Sequence, residues 1–480
     1  MKSDLWGRGI AAGAFAGLIG GALSAAVLSR LGSLPPTASL VRADAATAGF
    51  VLHVALGIVL GAGFGVLVWH QRAGAGETLF WGIAWGALWW FLGPLTLMSL
   101  LLLGFLAWDL HSAQEAFPTL LGYLLYGGVT GISLAVIRRE RTPTGAARPG
   151  ALIRGILAGT TGGVFLGVLL DAQGLLSGIP ITMGSGLSGW PLIIVSGAVA
   201  GGGYALLYPR PPEGTGPGLI RGMVYGFCWW VVGSLIPSVA RVVGEAGQAG
   251  PVQADFSMLP GYLLFGAATA VLYAWMDGLG RVLFSDMVPP RDTEGVGTEG
   301  LRALGRGAVA GLIGGTLFAL VIVQIGGLSA MARLVGSTSI WGLIAQVLIA
   351  QAVGISYGFL FRRQSYDVGS GLGWGISYGF FWWVLGPLTL APLFLGSAPR
   401  WRVEAAAELF PYLIGHLAFG AALGVTFHLL EARHNPWWIP RSEAEAARVA
   451  LRREQVLTSA PALWAIVAAI ALTLPVLLSR

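Results

Sequence analysis

Residues 82–93 read Gly-Ile-Ala-Trp-Gly-Ala-Leu-Trp-Trp-Phe-Leu-Gly, and the pattern that they define, Gly-x3-Gly-x2-Trp-Trp-x2-Gly, occurs three times in the chain. The second copy covers residues 222–233 and the third covers residues 375–386. The interval from one copy of the motif to the next is far too long for a solenoid, whose stacked repeats are each about 20–50 residues long. Each copy is therefore predicted to belong to a small helical bundle of its own.

The composition around these motifs is that of a membrane protein. Hydrophobic residues make up 55% of the chain and charged residues 10%, whereas soluble domains contain about 45–50% and about 25%. Apolar stretches of about 20 residues, the length that spans a bilayer as a helix, recur from residue 8 almost to the C-terminus. The net charge of +6 comes mainly from arginines in short loops, so it indicates topology rather than nucleic-acid binding. We expect an all-α polytopic protein that contacts the lipid bilayer and binds no nucleic acid.

The hydrophobic pattern predicts four helices in each of three segments and a thirteenth span in a tail. In segment one (1–143) the helices lie at 8–30, 48–70, 78–104 and 116–138. In segment two (144–296) they lie at 154–172, 189–208, 218–240 and 258–277, and in segment three (297–436) at 306–327, 340–361, 371–396 and 408–430. The tail (437–480) adds a charged amphipathic helix, which Ser442 caps with Glu445 at the third position, and a transmembrane helix at 461–479.

The topology follows from helix number and from the arginines. Four helices per segment is an even number, so the three segments enter the membrane from one side as parallel repeats, and a pseudo-threefold arrangement is the simplest closure. Of the 28 Lys and Arg residues, twenty-one lie on the side of the N-terminus and six on the other side, before the terminal Arg480. The positive-inside rule then predicts a bacterial inner-membrane protein with a cytoplasmic N-terminus and an outside C-terminus.

The repeated motif is predicted to be a helix-packing face. Its glycines and its first tryptophan follow at i, i+4, i+7 and i+11, so they share one side of the third helix in each segment. Lipid tails give helices no hydrophobic reason to associate, and close backbone approach at Gly-x3-Gly supplies the attraction instead. Alternatively, the paired indoles form an aromatic wall for a ligand such as a quinone ring. The residues concerned are Gly82, Gly86, Trp89, Trp90 and Gly93, then Gly222, Gly226, Trp229, Trp230 and Gly233, then Gly375, Gly379, Trp382, Trp383 and Gly386.

Segments one and three continue the motif with Gly-Pro-Leu-Thr-Leu. Pro94 and Pro387 are predicted to kink the third helix and to free a backbone carbonyl. The hydroxyl of Thr96 or Thr389 either satisfies that backbone or points into a cavity.

Polar residues inside the spans are the best sequence clue to a site, because burying them in hydrocarbon is costly. They gather toward the outer ends of the predicted helices. His53 begins a second helix, and the same register holds Ile193 in segment two and Gln346 in segment three. A candidate polar vestibule facing outward therefore comprises His53, Thr96, Glu115, Tyr123, Asp171, Gln346, Thr389, Glu408 and His416.

Each member of this set has a structural alternative. His53 and His416 either hydrogen-bond a neighbouring group and hold two helices together, or pair with the Glu that enters the fourth helix and handle protons or cations. Glu115 and Glu408 can equally complement a helix dipole as first-turn residues. Asp171 can lie at the membrane interface.

One segment resembles the YagU-like bacterial inner-membrane proteins, which are small four-helix proteins. The resemblance rests on the Gly-rich first helix (Ala16–Gly21), on His53, on Gly-Pro-Leu after an aromatic third helix, and on Glu408 and His416 at the start of a fourth. Segment two lacks both the His and the Glu. The resemblance implies a membrane protein and little else.

Two functions are compatible with this pattern. The first is a transport or channel-like protein that moves a small solute or ion through the outward vestibule. The second is a non-catalytic scaffold or accessory subunit that packs against partner membrane proteins through its Gly and Trp faces. The chain has no Walker loop, no Gly-x-Ser-x-Gly elbow and no His-Glu-x-x-His motif, and Cys228 is its single cysteine. We therefore expect no catalytic residues, no cofactor and no metal.

Overall fold

A computed structural model describes most of the chain outside its longer loops and its tail. The described residues are 2–30, 33–43, 45–69, 75–108, 110–138, 149–176, 189–208, 214–235, 256–284, 296–324, 339–365 and 367–433, with Ser442, Glu443, Glu445, Ala446 and Val449 of the tail. Throughout these ranges the regular structure is helical and contains no strand. The all-α class predicted from the hydrophobic pattern is confirmed.

The helices follow the apolar runs closely. Segment one contains Lys2–Arg30, Pro35–Ser39, Ala46–Val68, Ala75–Trp90, Ser99–Leu103 and Leu110–Ile137. Segment two contains Pro149–Ala172, Trp190–Leu207, Thr215–Trp230 and Leu259–Phe284. Segment three contains Val296–Gln324, Ser339–Phe361, Val368–Leu385, Ala391–Phe394, Val403–Glu408 and Phe410–Ala432. The long helices are numbered below as first to fourth in each segment, so that Ala75–Trp90, Thr215–Trp230 and Val368–Leu385 are the third helices.

Eleven of the described helices are long and apolar enough to cross a membrane. The predicted third span of segment two is not among them, because only its first part, Thr215–Leu235, belongs to the described residues. The predicted span at 461–479 lies outside the described residues, as does most of the amphipathic helix at Ser442. The chain is thus a multi-pass membrane protein.

Glycines set the contacts between neighbouring helices. A methyl group at Gly17 of the first helix would overlap the carbonyl oxygen of Gly57 of the second helix. The equivalent contact in segment two joins Gly159 and Gly197, and in segment three it joins Gly311 and Ala350. Because no side chain separates the backbones, van der Waals contact extends along the whole crossing.

The described residues form two compact units. One unit contains the described residues of 1–146 and 227–259, and the other contains those of 147–226 and 260–466. Within each unit the first helix of a segment contacts the second and the fourth, and the third contacts the fourth. The arrangement of the three segments around a pseudo-threefold axis stays a prediction.

Large apolar side chains cover the outside of the helices. Val51, Leu101 and Leu348 are among the most exposed. In water such surfaces would be an aggregation risk, but on membrane-spanning helices they are the surfaces that contact lipid.

Candidate functional site

The first two glycines of the repeated motif lie against the fourth helix of their own segment. A methyl group at Gly82 would overlap the carbonyl oxygen of Gly127, and one at Gly86 would overlap that of Tyr123. The same two contacts recur twice, between Gly222 and Gly266, Gly226 and Tyr262, Gly375 and Gly420, and Gly379 and His416. The structure therefore brings these glycines into close packing within the chain itself.

The third glycine of the motif does not share this contact. A methyl group at Gly386 would meet no described atom within 4 Å, and one at Gly93 would lie 3.2 Å from the Tyr123 hydroxyl. Gly233 is exposed. The reason is a change of helix type, because π-helix follows each tryptophan pair at Phe91–Met98, Val231–Leu235 and Gly386–Leu390. A π-turn takes up an extra residue, so the α-helical register that aligns the motif ends there.

The two tryptophans of each pair have different environments. The second one, Trp90 or Trp383, is buried, and its indole N–H donates to the carbonyl of Ala116 or Leu409 over 3.1 Å in both cases. These bonds tie the third helix to the chain that enters the fourth. The first one, Trp89 or Trp382, has no well-formed hydrogen bond for its buried indole nitrogen among the described residues, although the Tyr378 side chain lies near the indole of Trp382. The aromatic-wall alternative therefore rests on the first tryptophan of each pair alone.

The two Gly-Pro-Leu-Thr-Leu sequences form matching hydrogen-bond networks. The Thr96 hydroxyl donates to the carbonyl of Phe91 over 2.9 Å, and the Thr389 hydroxyl donates to that of Val384 over 2.8 Å. Each threonine in turn accepts an indole N–H from the following loop, from Trp108 at 3.1 Å and from Trp401 at 2.9 Å. Each hydroxyl thus bonds the carbonyl oxygen that lies three residues before the proline.

His53 lies in a buried contact between three helices of segment one. Its Nε2 is 2.9 Å from the Ser24 hydroxyl on the first helix. Its ring meets the Tyr123 ring of the fourth helix edge to face, with the centroids 5.9 Å apart. We call Ser24, His53 and Tyr123 the helix node of segment one.

The same register in segment three holds Phe318, Gln346 and His416. The His416 ring packs edge to face on Phe318 at 4.8 Å, and its Nδ1 is 2.7 Å from the carbonyl of Tyr412 one turn earlier. Gln346 is buried. In segment two the register holds Leu166, Ile193 and Tyr262, so the node carries a histidine only in segments one and three.

The predicted pairing of each histidine with a fourth-helix glutamate is not what the structure shows. Glu408 is exposed and forms an ion pair with Arg400 at 2.5 Å. Glu115 is exposed as well, and His53 bonds Ser24 instead. The reason is helix geometry, because each glutamate lies eight residues before the node position, a rise of about 12 Å along a helix. Asp171 is exposed at the end of its helix.

A second group of polar residues, at the C-terminal ends of second and fourth helices, was absent from the sequence-based set. It includes Arg138, Tyr204, Asp277, Tyr357 and Glu431. A sequence signal existed, because Asp277 and Glu431 both follow the fourth-helix glycine, Gly266 or Gly420, by eleven residues. It was hidden because these residues adjoin arginine-rich loops, in which charge is expected.

No protein-family model matches this sequence, no curated protein matches it, and no solved structure matches the fold. The resemblance of a segment to YagU-like proteins stays a prediction.

Proposed function

We propose that this membrane protein moves a proton or another small ion, and that the helix node of segment one is part of its path. The observation that carries this proposal is the buried Ser24–His53 bond inside a four-helix segment. An ionisable side chain within a transmembrane helix is expensive to bury, and such residues usually belong to a proton relay or an ion path.

The chemistry of the node supports a proton more than a larger solute. Imidazole has two ring nitrogens and can accept a proton on one side while it releases one on the other. The Ser24 hydroxyl both donates and accepts. Because the glycines pack the surrounding backbones closely, a large solute has little room beside these side chains.

The two histidine-containing nodes favour a role for segments one and three together. Gln346 and His416 occupy the positions of His53 and Tyr123. The histidine is therefore on the second helix in segment one and on the fourth helix in segment three, at the same register position. In this proposal the node of segment one continues outward toward Glu115, and that of segment three continues outward toward Glu408. The proposal includes a bacterial inner-membrane location, a cytoplasmic N-terminus and a pseudo-threefold arrangement of the segments.

The scaffold alternative is less well supported. It requires the Gly and Trp faces to be available to partner subunits. The glycine part of those faces already packs against the fourth helix of the same segment, at Gly82, Gly86, Gly375 and Gly379. Among the described residues of those faces, Trp89 and Trp382 have a buried indole N–H without a well-formed hydrogen bond.

Ion flux into proteoliposomes tests this function. The purified chain is reconstituted into vesicles that enclose a pH-sensitive dye, and a potassium gradient with valinomycin supplies the driving voltage. We expect faster acidification than in protein-free vesicles and a strong reduction in His53→Ala. The proposal is wrong if vesicles with the native protein are no more permeable to H⁺, Na⁺ or K⁺ than protein-free vesicles.

A further inference from the structure

Three buried oxygen atoms at the C-terminal ends of the second and fourth helices of segment three lack a well-formed hydrogen bond to any described residue. They are the hydroxyl of Tyr357, the hydroxyl of Ser365 and Oε2 of Glu431. Tyr357 is 0% exposed. An unsatisfied buried polar group destabilises the folded state, so three in one place indicate a ligand.

Contacts on each side hold these three groups together. The Tyr357 ring packs edge to face on the Phe427 ring with centroids 5.4 Å apart, and Glu431 follows Phe427 by one helical turn on the same face. The other carboxylate oxygen, Oε1, accepts the backbone N–H of Arg363 over 2.9 Å, and Ser365 follows two residues later. The Ser365 side chain lies near enough to the Tyr357 hydroxyl to interact with it as a weak hydrogen-bond partner, without a bond of good geometry, and the Glu431 carboxylate acts on that hydroxyl through its charge.

The arginines near Glu431 do not satisfy its free oxygen. The Arg363 guanidinium forms an ion pair with Glu299 at 2.5 Å. Arg306 acts on the Glu431 carboxylate through its charge, as do Glu299 and Arg363. Within the described residues, no cationic side chain donates a hydrogen bond to Oε2 of Glu431.

The other two segments supply a cation at the equivalent place. In segment two, Asp277 has the register of Glu431, and Arg154 pairs with it at 2.9 Å. In segment one the register holds Arg138 itself, whose Nη1 donates to the carbonyl of Val68 at the end of the second helix over 3.1 Å. In segment three Arg306 has the register of Arg154, but it acts on Glu431 only through its charge, and among the described residues no arginine side chain forms an ion pair with that carboxylate.

We propose that Tyr357, Ser365 and Glu431 bind a small monovalent cation, for which Na⁺ is the probe. Carboxylate and hydroxyl oxygens suit hard cations. A single carboxylate matches one positive charge, whereas Ca²⁺ sites gather six to eight oxygens with several carboxylates. The C-terminal end of helix Ser339–Phe361 adds negative potential. Metal signatures built on Cys and His do not detect such a site, so this proposal revises the expectation of no metal. It does not depend on the proposed ion flux.

A binding measurement tests the site without any transport assay. The full chain in detergent is melted in increasing NaCl, with choline chloride holding the ionic strength constant. We expect a saturable rise in melting temperature, because a ligand of the native state stabilises it. Tyr357→Phe removes one oxygen and little volume, and it should raise the apparent Kd about tenfold or more. The matched control is Tyr204→Phe, at the same register in segment two, which should leave the apparent Kd unchanged.

Two results would overturn the proposal. One is a native protein that NaCl stabilises no more than choline chloride does. The other is an unchanged apparent Kd in Tyr357→Phe. That result would mean that an ordered water, and not a cation, binds the three oxygens. Glu431→Gln should abolish the Na⁺ effect, and Tyr357→Phe still decides the question if that variant does not fold. Equal stabilisation by KCl supports a monovalent site that does not select Na⁺.

Discussion

The indole N–H of Trp401 donates a hydrogen bond to the hydroxyl of Thr389 over 2.9 Å, and both side chains are almost completely buried. The Thr389 hydroxyl in turn donates a hydrogen bond to the carbonyl of Val384, which lies in the third helix just before the π-helical turn. A loop residue thus stabilises the point at which the helix departs from α geometry. Trp108 and Thr96 repeat the arrangement in segment one.

Removing the buried indole donor should destabilise the protein. Trp401→Phe leaves the Thr389 hydroxyl without its donor and creates a small void, so we expect a loss of about 1–3 kcal/mol in unfolding free energy. Denaturant unfolding in detergent, followed by circular dichroism, measures it. Trp108→Phe is the control, because Trp108 is 36% exposed and water can replace its bond. An equal loss in both variants would contradict the role given to burial.

Glycine substitutions should separate the packed part of the motif from the rest. Gly379→Ala places a methyl group against the carbonyl of His416, and we expect a lower melting temperature and more aggregation in size-exclusion chromatography. Gly386→Ala is the matched control in the same motif, because its methyl group meets no described atom within 4 Å other than its chain neighbours. If Gly386→Ala is the more harmful of the two, the packing assignment fails.

The helix positions could be predicted well from the sequence, because a membrane span requires about 20 apolar residues. The predicted second helix of segment three, 340–361, is Ser339–Phe361 in the structure. Close packing at Gly82 and Gly86 also follows from sequence, since small residues spaced by four favour helix contact. Helix position and close glycine packing both depend on the local sequence pattern.

The partners of the polar side chains could not be predicted in the same way. Glu408 forms an ion pair with Arg400 and not with His416, because the partner of each charged group depends on its position along the helix. The end of the packing face at Gly386 depends on the π-helical turn, and a motif written at α-helical spacing does not contain it. The buried oxygens of Tyr357 and Ser365 come from the end of the second helix and the loop after it, and that of Glu431 comes from the end of the fourth helix.

Thiol labelling should show which residues lie on each side of the membrane. Cys228 is the single native cysteine, so Cys228→Ala provides a background without thiols. On that background, Ser397→Cys should react with a membrane-impermeant maleimide in intact cells, because the predicted topology puts this exposed residue outside. Arg433→Cys, exposed after the fourth helix, should react only after the cells are opened. The reverse pattern would invert the predicted orientation.

The most direct test of the central claim compares proton flux between two matched substitutions in the helix nodes. His53→Ala and Ile193→Ala remove side chains at the same register of two second helices, but only His53 can carry a proton. At equal amounts of folded, reconstituted protein, the account predicts that His53→Ala loses most of the native acidification rate while Ile193→Ala keeps it. Equal rates in His53→Ala and the native protein would show that the node does not carry the ion.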